Sequence, residues 1–329
     1  MVPTLEAGDV LTECLLSLEL QTLRDFEVVV VDNSGRGAVR SLGTAERRAR
    51  VIENTRNVGF GAAINQAVRE TDSEFVATLN DDAVAAPQWL EALVEGVAGE
   101  TRAGMGASCV VLSGSGMLDS AGMLLCGDGS SKQRGHGNPV GTGGRIEEVL
   151  LPSGSAALYR RAMLEETGLF DEDFFLYCED TDLGLRAQWA GWHCVHVPDA
   201  RVEHRYSHSA GRASALKAYY VERNRLFVAV KNFPAGMLGA VPAVSLMRYF
   251  WHAVALASDR GAAGEFRSQG GSSLQLIWFV ARAHIALIAS LPRLWSERQR
   301  IRRTARITAA EFRATARRHR IAARELAAQ

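Results

Sequence analysis

Two separated acidic clusters are the part of this chain best suited to chemistry. One is Asn80-Asp81-Asp82, and the other is Glu179-Asp180, which stands where a helix is expected to begin. Hard divalent cations such as Mg²⁺ take oxygen ligands, commonly one or two carboxylates together with substrate phosphates. A separate carboxylate can remove a proton from a reacting hydroxyl. The two clusters therefore indicate one metal site and one proton acceptor, with a capped helix start and a solvated turn as the structural alternatives.

The pattern of apolar residues around these clusters predicts an α/β domain with a mostly parallel central sheet. The predicted strands are Phe26–Val31, Arg50–Glu53 and Glu74–Leu79, and the predicted helices are Asp9–Thr22, Asn57–Arg69 and one that begins at Pro87. Strands that alternate with helices along a chain form parallel sheets. Ligands bind such sheets beyond the carboxyl ends of the strands. Those ends carry Thr4, Asp32 and Asn80, so we expect the three residues to share a crevice.

Residues near these strand ends suit a nucleotide, although each has a structural alternative. Asp32 either accepts hydrogen bonds from a base or ribose, or only caps the turn that follows it. The segment from Asn57 through Gly59 to Asn65 opens a helix, and a helix N-terminus favours phosphate. His204 follows a strand-like run and is a candidate ligand, with a structural role as the alternative and His208 as a competitor.

The middle of the chain is rich in Gly and Ser. Ser108–Leu112 and Met117–Cys126 have the pattern of short strands. Seven glycines lie between residues 127 and 144, where few residues are apolar. We expect that segment to be a mobile loop.

The C-terminal third is expected to contact a membrane. Met237–Ala257 and Leu274–Trp295 are apolar but are interrupted by Arg and His, whereas a spanning helix needs about 20 apolar residues with few charges. We therefore expect interfacial amphipathic helices, with spanning helices as the alternative. From residue 296 to residue 329 there are ten Arg against three Glu, an excess that suits anionic lipid headgroups.

Cysteine usage and the first residues of the chain bear on its compartment. The five cysteines are odd in number and show no CxxC or zinc spacing, which favours buried thiols in a reducing cytoplasm. Met1 is followed by neither a charged nor an apolar signal segment. We expect a cytoplasmic protein that lies peripherally on the inner face of the cell membrane.

An ordered set of motifs runs through residues 1–235. The motifs are VPT, FEVVVVDNSG, RNVGFGAAINQA, LNDDAVAAPQWL, LPSGSAALYRRAMLEETGLFDEDFFLYCEDTDLGLRAQWAGW, VPDARVEHRYSHS and YYVERNRL. The set resembles family-2 glycosyltransferases of the GT-A fold, in particular the rhamnosyltransferase-like branch that builds cell-surface polysaccharides. The apolar and then Arg-rich extension, with PRLWSERQRIRR, resembles the C-terminal region of that branch.

The resemblance implies an inverting sugar transferase that uses a nucleotide-diphosphate sugar and Mg²⁺ or Mn²⁺. Asp180, beside Glu179, stands where the family has its catalytic base, and Asp82 and His204 stand at metal positions. Nucleotide-sugar contacts are expected at Pro3, Thr4, Asp32, Asn57, Gly59, Asn65, Asn80 and Asp81, and the acceptor side is expected at Ser153, Gly154 and Trp189.

The same resemblance frames the donor, the acceptor and the domains. Rhamnose from a dTDP donor is the first expectation, ahead of UDP- and GDP-sugars, and a lipid-linked glycan is the expected acceptor. Residues 1–233 are expected to form the GT-A domain, and residues 234–329 a helical membrane-associating extension.

Three other functions have their own signatures. A sugar nucleotidyltransferase would also use acidic metal ligands, but it needs a Gly-rich basic loop near the first strand, and the sequence shows none there. A nucleic-acid partner is not expected, because the Arg-rich tail lacks interleaved aromatic residues. A glycosidase needs two carboxyl groups about 5–10 Å apart around one bond, which fits two separated clusters less well.

Overall fold

The structure is a computed structural model that describes residues 1–42, 49–141, 143–205, 215–257 and 272–328. The chain divides into two compact units. The first comprises Met1–Met123, Gln133–Ala187 and Trp192–Ser209, and the second comprises Leu124–Lys132, Gln188–Gly191 and Ala210–Gln329. The second unit therefore includes more of the chain than the predicted extension from residue 234. The competing His208 lies outside the described residues.

Three parallel strands open the first unit. They are β1 (Val2–Thr4), β2 (Val28–Asp32) and β3 (Ala49–Glu53), in the order β1-β2-β3. Side chains alternate between the two faces of a strand. Val29 and Val31 pack with helix residues on one face, while Val30 joins a larger apolar core on the other. A strand covered on both faces accounts for the continuous apolar run that the sequence shows.

The remaining strands form a larger sheet with mixed pairing. The chain order is β4 (Phe75–Leu79), β5 (Ala83–Ala85), β6 (Ala103–Leu112), β7 (Met117–Ser120), β8 (Met123–Leu125), β9 (Ser131–Gln133), β10 (Glu147–Val149), β11 (Ala156–Arg160) and β12 (His193–His204). The sheet order is β10-β12-β6-β11-β4, with β5 beside β12 and β7 beside β6, and β8 pairs with β9 separately.

Only β6 and β12 pair in parallel within this larger sheet. The expectation of an α/β fold is met, but the sheet is mixed where a mostly parallel one was predicted. The short β6–β7 connection explains part of the difference, because two strands joined by a tight turn must run antiparallel. Hydrogen bonds from the Met1 amino group to the Ala77 carbonyl (2.8 Å) and from Leu79 N to the Met1 carbonyl (3.1 Å) join β1 to β4.

Five helices of the described chain begin in the first unit. They are α1 (Asp9–Glu19), α2 (Phe60–Arg69), α3 (Trp89–Ala98), α4 (Arg161–Thr167) and α5 (Glu179–Trp189). Apolar residues of α1 and α3 pack in the core that contains Val30, while Ala63 and Ala67 of α2 pack on the opposite face. α3 begins two residues after the predicted Pro87 start. The parallel strands thus carry helices on both faces, and their carboxyl ends stay open.

The Gly-rich segment predicted as a mobile loop is hydrogen-bonded where the structure describes it. Ala121 N donates to the Arg134 carbonyl (3.0 Å), and Arg134 N donates to the Gly122 carbonyl (2.8 Å). Gly137 N donates to the Leu118 carbonyl of β7 (2.8 Å). Residues 134–137 therefore fold back along β7, a pairing that the glycine content conceals.

The second unit is helical. Its helices are α6 (Ala215–Asn232), α7 (Ala235–Ala257), α8 (Ser273–Arg303), α9 (Ala309–Arg318) and α10 (Ala323–Ala328). Capping boxes begin α8 at Ser272 and α9 at Thr308, where each hydroxyl accepts a backbone N–H three residues on.

Buried charges connect α6 with α7 in this unit. Arg248 donates to Glu222 Oε2 (2.5 Å) and to Asp128 Oδ2 (2.6 Å), and Arg225 Nε donates to Glu222 Oε2 (3.0 Å). Burial opposes the ionisation of Glu222, but Arg248 and Arg225 lower its pKa to about 2. The cluster is internally paired, as buried charges must be.

Candidate active site

Asp180 lies in the first turn of α5, where three hydrogen bonds hold its carboxylate. Oδ2 accepts from Gly154 N (2.9 Å), and Oδ1 accepts from Thr181 N (2.6 Å) and from the Thr181 hydroxyl (3.2 Å). Burial raises the pKa of Asp180, while these donors stabilise its charged form. A buried carboxylate of raised basicity suits a proton acceptor.

Glu179 has a contrasting environment beside it. The side chain is buried, and its Oε2 has no hydrogen-bond partner among the described residues. Burial and, secondly, the charge of Asp180 raise the pKa of Glu179 to about 8. We infer that the pair keeps one proton near neutral pH, on Glu179, because the hydrogen-bond donors surround Asp180. Neighbouring titratable groups with divergent environments divide acid and base roles in this way.

The backbone that leads into α5 is strained. Phe175, Tyr177 and Cys178 all have positive φ (63°, 68° and 66°), and Leu176 N donates to the Phe174 carbonyl (2.7 Å) in a tight γ-turn. Such strain persists only where the surroundings enforce it, and it concentrates at functional sites.

Gly59 provides that enforcement at the start of α2. Phe60 N donates to the Phe175 carbonyl (2.8 Å), and a Cβ on Gly59 would lie 2.3 Å from the same oxygen. Gly59 also has φ of 91°, which side-chain-bearing residues rarely adopt. The structure therefore gives Gly59 a role in seating the loop that leads into α5.

The side-chain amide of Asn65 holds the start of the segment that leads into α5. Its Nδ2 donates to the Phe170 carbonyl (2.9 Å) and to Glu172 Oε1 (2.9 Å), and its Oδ1 accepts from Phe170 N (3.0 Å). The residue is buried and its amide is engaged with protein atoms. The sequence suggested a nucleotide contact for Asn65, whereas its hydrogen bonds in the structure go to Phe170 and Glu172, in the segment that leads into α5.

Asp32 closes the turn after β2. Its Oδ1 accepts from Ser34 N (2.9 Å) and its Oδ2 from Val39 N (2.9 Å). Burial opposes its ionisation, but the bonds from Ser34 and Val39 lower the pKa of Asp32 below its ordinary value. The turn-capping alternative is therefore what the structure shows, and any nucleotide contact must use the remaining lone pairs.

Asn57 belongs to a small amide network beside this turn. Its Oδ1 accepts from Gly59 N (2.9 Å) and from Asn33 Nδ2 (3.1 Å). Asn33 also donates to the Gly59 carbonyl (3.2 Å) and accepts from Val58 N (3.2 Å). Asn33 thus organises the predicted nucleotide edge, and its place directly after Asp32 was the signal that sequence reasoning left unused.

The metal-side cluster lies at the ends of β1, β4 and β12. Thr4 Oγ1 is 2.6 Å from Asp81 Oδ2, while Pro3 precedes Thr4 in β1. Asp82 Oδ1 is 3.1 Å from Nε2 of His204, and Asn80 Nδ2 is 3.3 Å from the same nitrogen. The structure therefore brings together the residues that the sequence assigned to cation and diphosphate.

The geometry of Asp82 and His204 fits a shared divalent cation. In octahedral coordination at about 2.1 Å, neighbouring ligand atoms are about 3.0 Å apart, close to the observed 3.1 Å. Among the described residues, no group of three or more His, Cys, Asp or Glu side chains is arranged to hold a metal ion alone. Mg²⁺ and Mn²⁺ commonly keep water and substrate phosphate as further ligands, so two protein ligands are compatible with such a site.

Asp119 is a neighbour of His204 that sequence reasoning missed. Its Oδ2 is 2.9 Å from His204 Nδ1, and its Oδ1 is 3.2 Å from His136 Nδ1. Burial lowers the pKa of His204, but Asp119 and Asp82 outweigh it and raise the value to about 9. No local motif marks Asp119 or His136, since the contact of Asp119 with His204 and that of His136 with Asp119 both depend on the tertiary fold.

One loop connects the metal-side cluster to Asp180. Ser155 accepts a hydrogen bond from Asn80 N on its carbonyl (2.8 Å). Gly154, the residue before it, donates to Asp180 and accepts from the Thr78 hydroxyl (3.0 Å). The two acidic clusters therefore both contact the loop that precedes β11.

Comparison with known proteins identifies the family of this chain. The family model of glycosyl transferase family 2 matches residues 1–168. The chain belongs to that family. An N-acetylglucosaminyl-diphospho-decaprenol L-rhamnosyltransferase of Mycobacterium tuberculosis is 31% identical over 244 residues, which cover 66% of this chain and 79% of the relative.

Solved structures confirm the GT-A fold of this family-2 glycosyltransferase. A crystal structure of GalNAc-T7 with UDP, GalNAc and Mn²⁺ aligns with a TM-score of 0.58 at 16% identity, covering 88% of this chain and 56% of that one. Residues 1–349 of Staphylococcus aureus TarS with UDP align with a TM-score of 0.52 at 19% identity, covering 95% and 90%. The chain thus spans little more than half of the GalNAc-T7 chain.

The three residues that the family resemblance assigns to the acceptor side of the glycosyltransferase have different surroundings. Ser153 Oγ is 2.9 Å from Ser155 Oγ in the loop beside Asp180. Trp189 is buried in the second unit, where it stacks on Phe312 at 4.5 Å between ring centroids and donates to the Asn232 carbonyl (2.9 Å). Trp189 therefore has the contacts of a packing residue, unlike Ser153 and Gly154.

Proposed function

We propose that this glycosyltransferase moves a sugar, with inversion, from a nucleotide-diphosphate donor to a hydroxyl of a lipid-linked glycan. The observation that carries the proposal is the Asp180 carboxylate, which is hydrogen-bonded to the same loop that contacts the metal-side cluster and lies beside the buried Glu179. The Mycobacterium tuberculosis relative, named for transfer of L-rhamnose to a decaprenyl-diphosphate-linked sugar, supports rhamnose and a polyprenyl-linked acceptor as first candidates.

In this mechanism Asp180 accepts the proton of the acceptor hydroxyl as the hydroxyl oxygen attacks C1 of the donor sugar. One carboxylate is sufficient, because a single displacement inverts the anomeric centre and forms no glycosyl-enzyme. Glu179 keeps its own proton and leaves the negative charge on Asp180. Asp82 and His204 would hold Mg²⁺ or Mn²⁺, which would offset the charge on the departing nucleoside diphosphate.

A donor panel tests this function. The full chain is incubated with dTDP-rhamnose, UDP-sugars and GDP-sugars and a polyprenyl-diphosphate N-acetylglucosamine acceptor, with Mn²⁺ or with EDTA. We expect acceptor-dependent release of nucleoside diphosphate from one donor and its loss in EDTA. Release of pyrophosphate from a nucleoside triphosphate and a sugar 1-phosphate would instead establish a nucleotidyltransferase.

Membrane association is the second part of the proposal. The described residues contain one helix that is long and apolar enough to cross a membrane, α8 over Leu274–Arg303. Large apolar side chains are exposed along it at a spacing of three, four and seven residues, which places them on one stripe. They are Leu274, Ile277, Trp278, Ile285, Ile288 and Trp295.

The contacts on the other face of α8 favour a helix that lies in the plane of the membrane over a helix that spans it. α8 packs along α6, and the Arg282 guanidinium lies 4.1 Å from the Tyr219 ring centroid of that helix. Since α6 also carries Glu222 and Arg225, a spanning α8 would draw these charges into the hydrocarbon, at a cost of several kcal/mol. We therefore propose a peripheral helix on the cytoplasmic membrane face, with its apolar stripe in the lipid.

Vesicle flotation tests this position. Ile285→Glu together with Ile288→Glu should abolish flotation with anionic vesicles, because charge is introduced into the stripe. Leu16→Glu with Leu20→Glu is the matched control, since these two exposed leucines lie in α1 and directly after it, away from α8 in the sequence. Release of the wild type from membranes by carbonate or high salt fits a peripheral helix, whereas extraction by detergent alone would establish a spanning one.

A further inference from the structure

The face of His204 that points away from Asp82 is also occupied. Its Nε2 lies beside Asp82 Oδ1 (3.1 Å), and its Nδ1 lies beside Asp119 Oδ2 (2.9 Å). A neutral imidazole binds a cation through one nitrogen only while its proton sits on the other nitrogen. When a cation replaces the proton on Nε2, a carboxylate at Nδ1 would hold the remaining proton there and direct the Nε2 lone pair at the cation.

Asp119 is placed for this contact by an irregularity in the sheet. In the β6–β7 pairing, Leu118 faces Val111 and Ser120 faces Val110, and the register shifts between them. Asp119 is the additional residue at that shift. Bulges re-aim side chains next to active sites, and this one aims a buried carboxylate across β6 towards His204 on β12.

His136 holds Asp119 from the opposite side. Its Nδ1 is 3.2 Å from Asp119 Oδ1 and 3.1 Å from the Asp119 carbonyl. Each carboxylate oxygen of Asp119 therefore faces a different imidazole, which limits rotation of the carboxylate. The described backbone bonds of residues 134–137 fix His136 in turn.

We propose that Asp119 is the positioning residue of the cation site, setting the tautomer and orientation of His204 so that Nε2 is presented beside Asp82, with His136 as its support. The inference rests on the proposed function for the identity of the site. Its test uses metal binding, so that the two can fail separately.

Titration with Mn²⁺ alone, followed by the electron paramagnetic resonance signal of free Mn²⁺, measures the site without turnover. Asp119→Asn keeps the shape of the side chain and removes its charge, and we expect it to weaken Mn²⁺ binding by about 10- to 100-fold. Asp128→Asn is the matched control, because Asp128 is an equally buried carboxylate within the second unit. We expect that variant to keep the wild-type affinity. Unchanged Mn²⁺ affinity in a folded Asp119→Asn protein would overturn the proposal.

A second measurement needs no variant at Asp119. In ¹⁵N-histidine-labelled wild-type protein saturated with Mg²⁺, the ring spectrum of His204 should show the proton on Nδ1, with the assignment made by His204→Gln. A proton on Nε2 would overturn the proposal even if Asp119→Asn does not fold. Absence of sugar transfer with any donor, while both metal-binding results hold, would refute the proposed function and leave the role of Asp119 standing.

Discussion

Replacing Glu179 by Gln tests how the carboxyl pair divides its protons. Glu179 is buried, and its pKa is raised from 4.5 to about 8 in the folded protein. A group whose pKa is raised by folding stabilises the fold at low pH, and that contribution is lost as the pH rises through the folded pKa. Between pH 5 and pH 8 the loss is about 3–4 kcal/mol, at 1.36 kcal/mol for each unit of pKa.

The unfolding free energy of Glu179→Gln does not fall in this way between pH 5 and pH 8, because glutamine resembles the protonated carboxyl at every pH. The difference in unfolding free energy between Glu179→Gln and wild type should therefore move in favour of the variant by about 3–4 kcal/mol from pH 5 to pH 8. Urea unfolding followed by circular dichroism at pH 5, 6.5 and 8 measures that difference. Asp180 is present in both proteins, so its own titration contributes to both unfolding free energies. We also expect Glu179→Gln to keep its transferase activity at pH 7. A difference that stays constant with pH would show that Glu179 is ionised in the fold and would refute the reasoning.

Three further predictions follow from packing and charge. Gly59→Ala should destabilise the fold by about 2–6 kcal/mol, because its Cβ would meet the Phe175 carbonyl at 2.3 Å and positive φ would be strained. Gly8→Ala, with nothing within 4 Å of the added atom, is the control in the same thermal melt, and equal melting temperatures would contradict this. The Glu222 carboxylate stabilises the wild type by about 3 kcal/mol above pH 4.5, and this contribution is lost as the pH falls towards 2. Glu222→Gln should lack it. If the unfolding free energies of the two proteins, measured by urea titration, change with pH in parallel, the prediction is wrong. Trp189→Phe should lower the unfolding free energy by about 1 kcal/mol, since the Asn232 carbonyl loses one of its two donors and keeps Arg302, and should leave the acceptor KM unchanged; a raised KM at unchanged stability would return Trp189 to the acceptor side.

Residues that sit within local motifs could be located from the sequence. Asp82 lies three residues after the end of β4, and Asp180 lies in the first turn of α5, so the order of elements already placed both near strand or helix ends. The pairing of Asp82 with His204 depended on the family resemblance, because 122 residues separate them in the chain and β12 returns beside β5. Sequence patterns therefore located the two clusters in the chain, but did not by themselves predict which residues lie next to each cluster in the fold.

Residue roles that depend on tertiary contacts could not be predicted from the sequence. Asn65 and Gly59 belong to a nucleotide-like motif, yet the structure uses them to hold the strained loop before α5. Asp119 reaches His204 through a bulge, and residue type and spacing do not reveal a bulge in a Gly- and Ser-rich stretch. The mixed strand pairing was also missed, because the apolar pattern of a strand does not identify the strands that pair with it.

The most direct test of the central claim measures Asp180→Asn with a saturating donor. Transfer is followed by nucleoside diphosphate release, and donor affinity is measured separately by calorimetry on the same protein. Loss of a general base typically costs about 10²- to 10⁴-fold in rate, so we predict a loss of that size in kcat with donor Kd close to the wild-type value. A variant that transfers sugar at the wild-type rate would contradict the assignment of Asp180 as the proton acceptor.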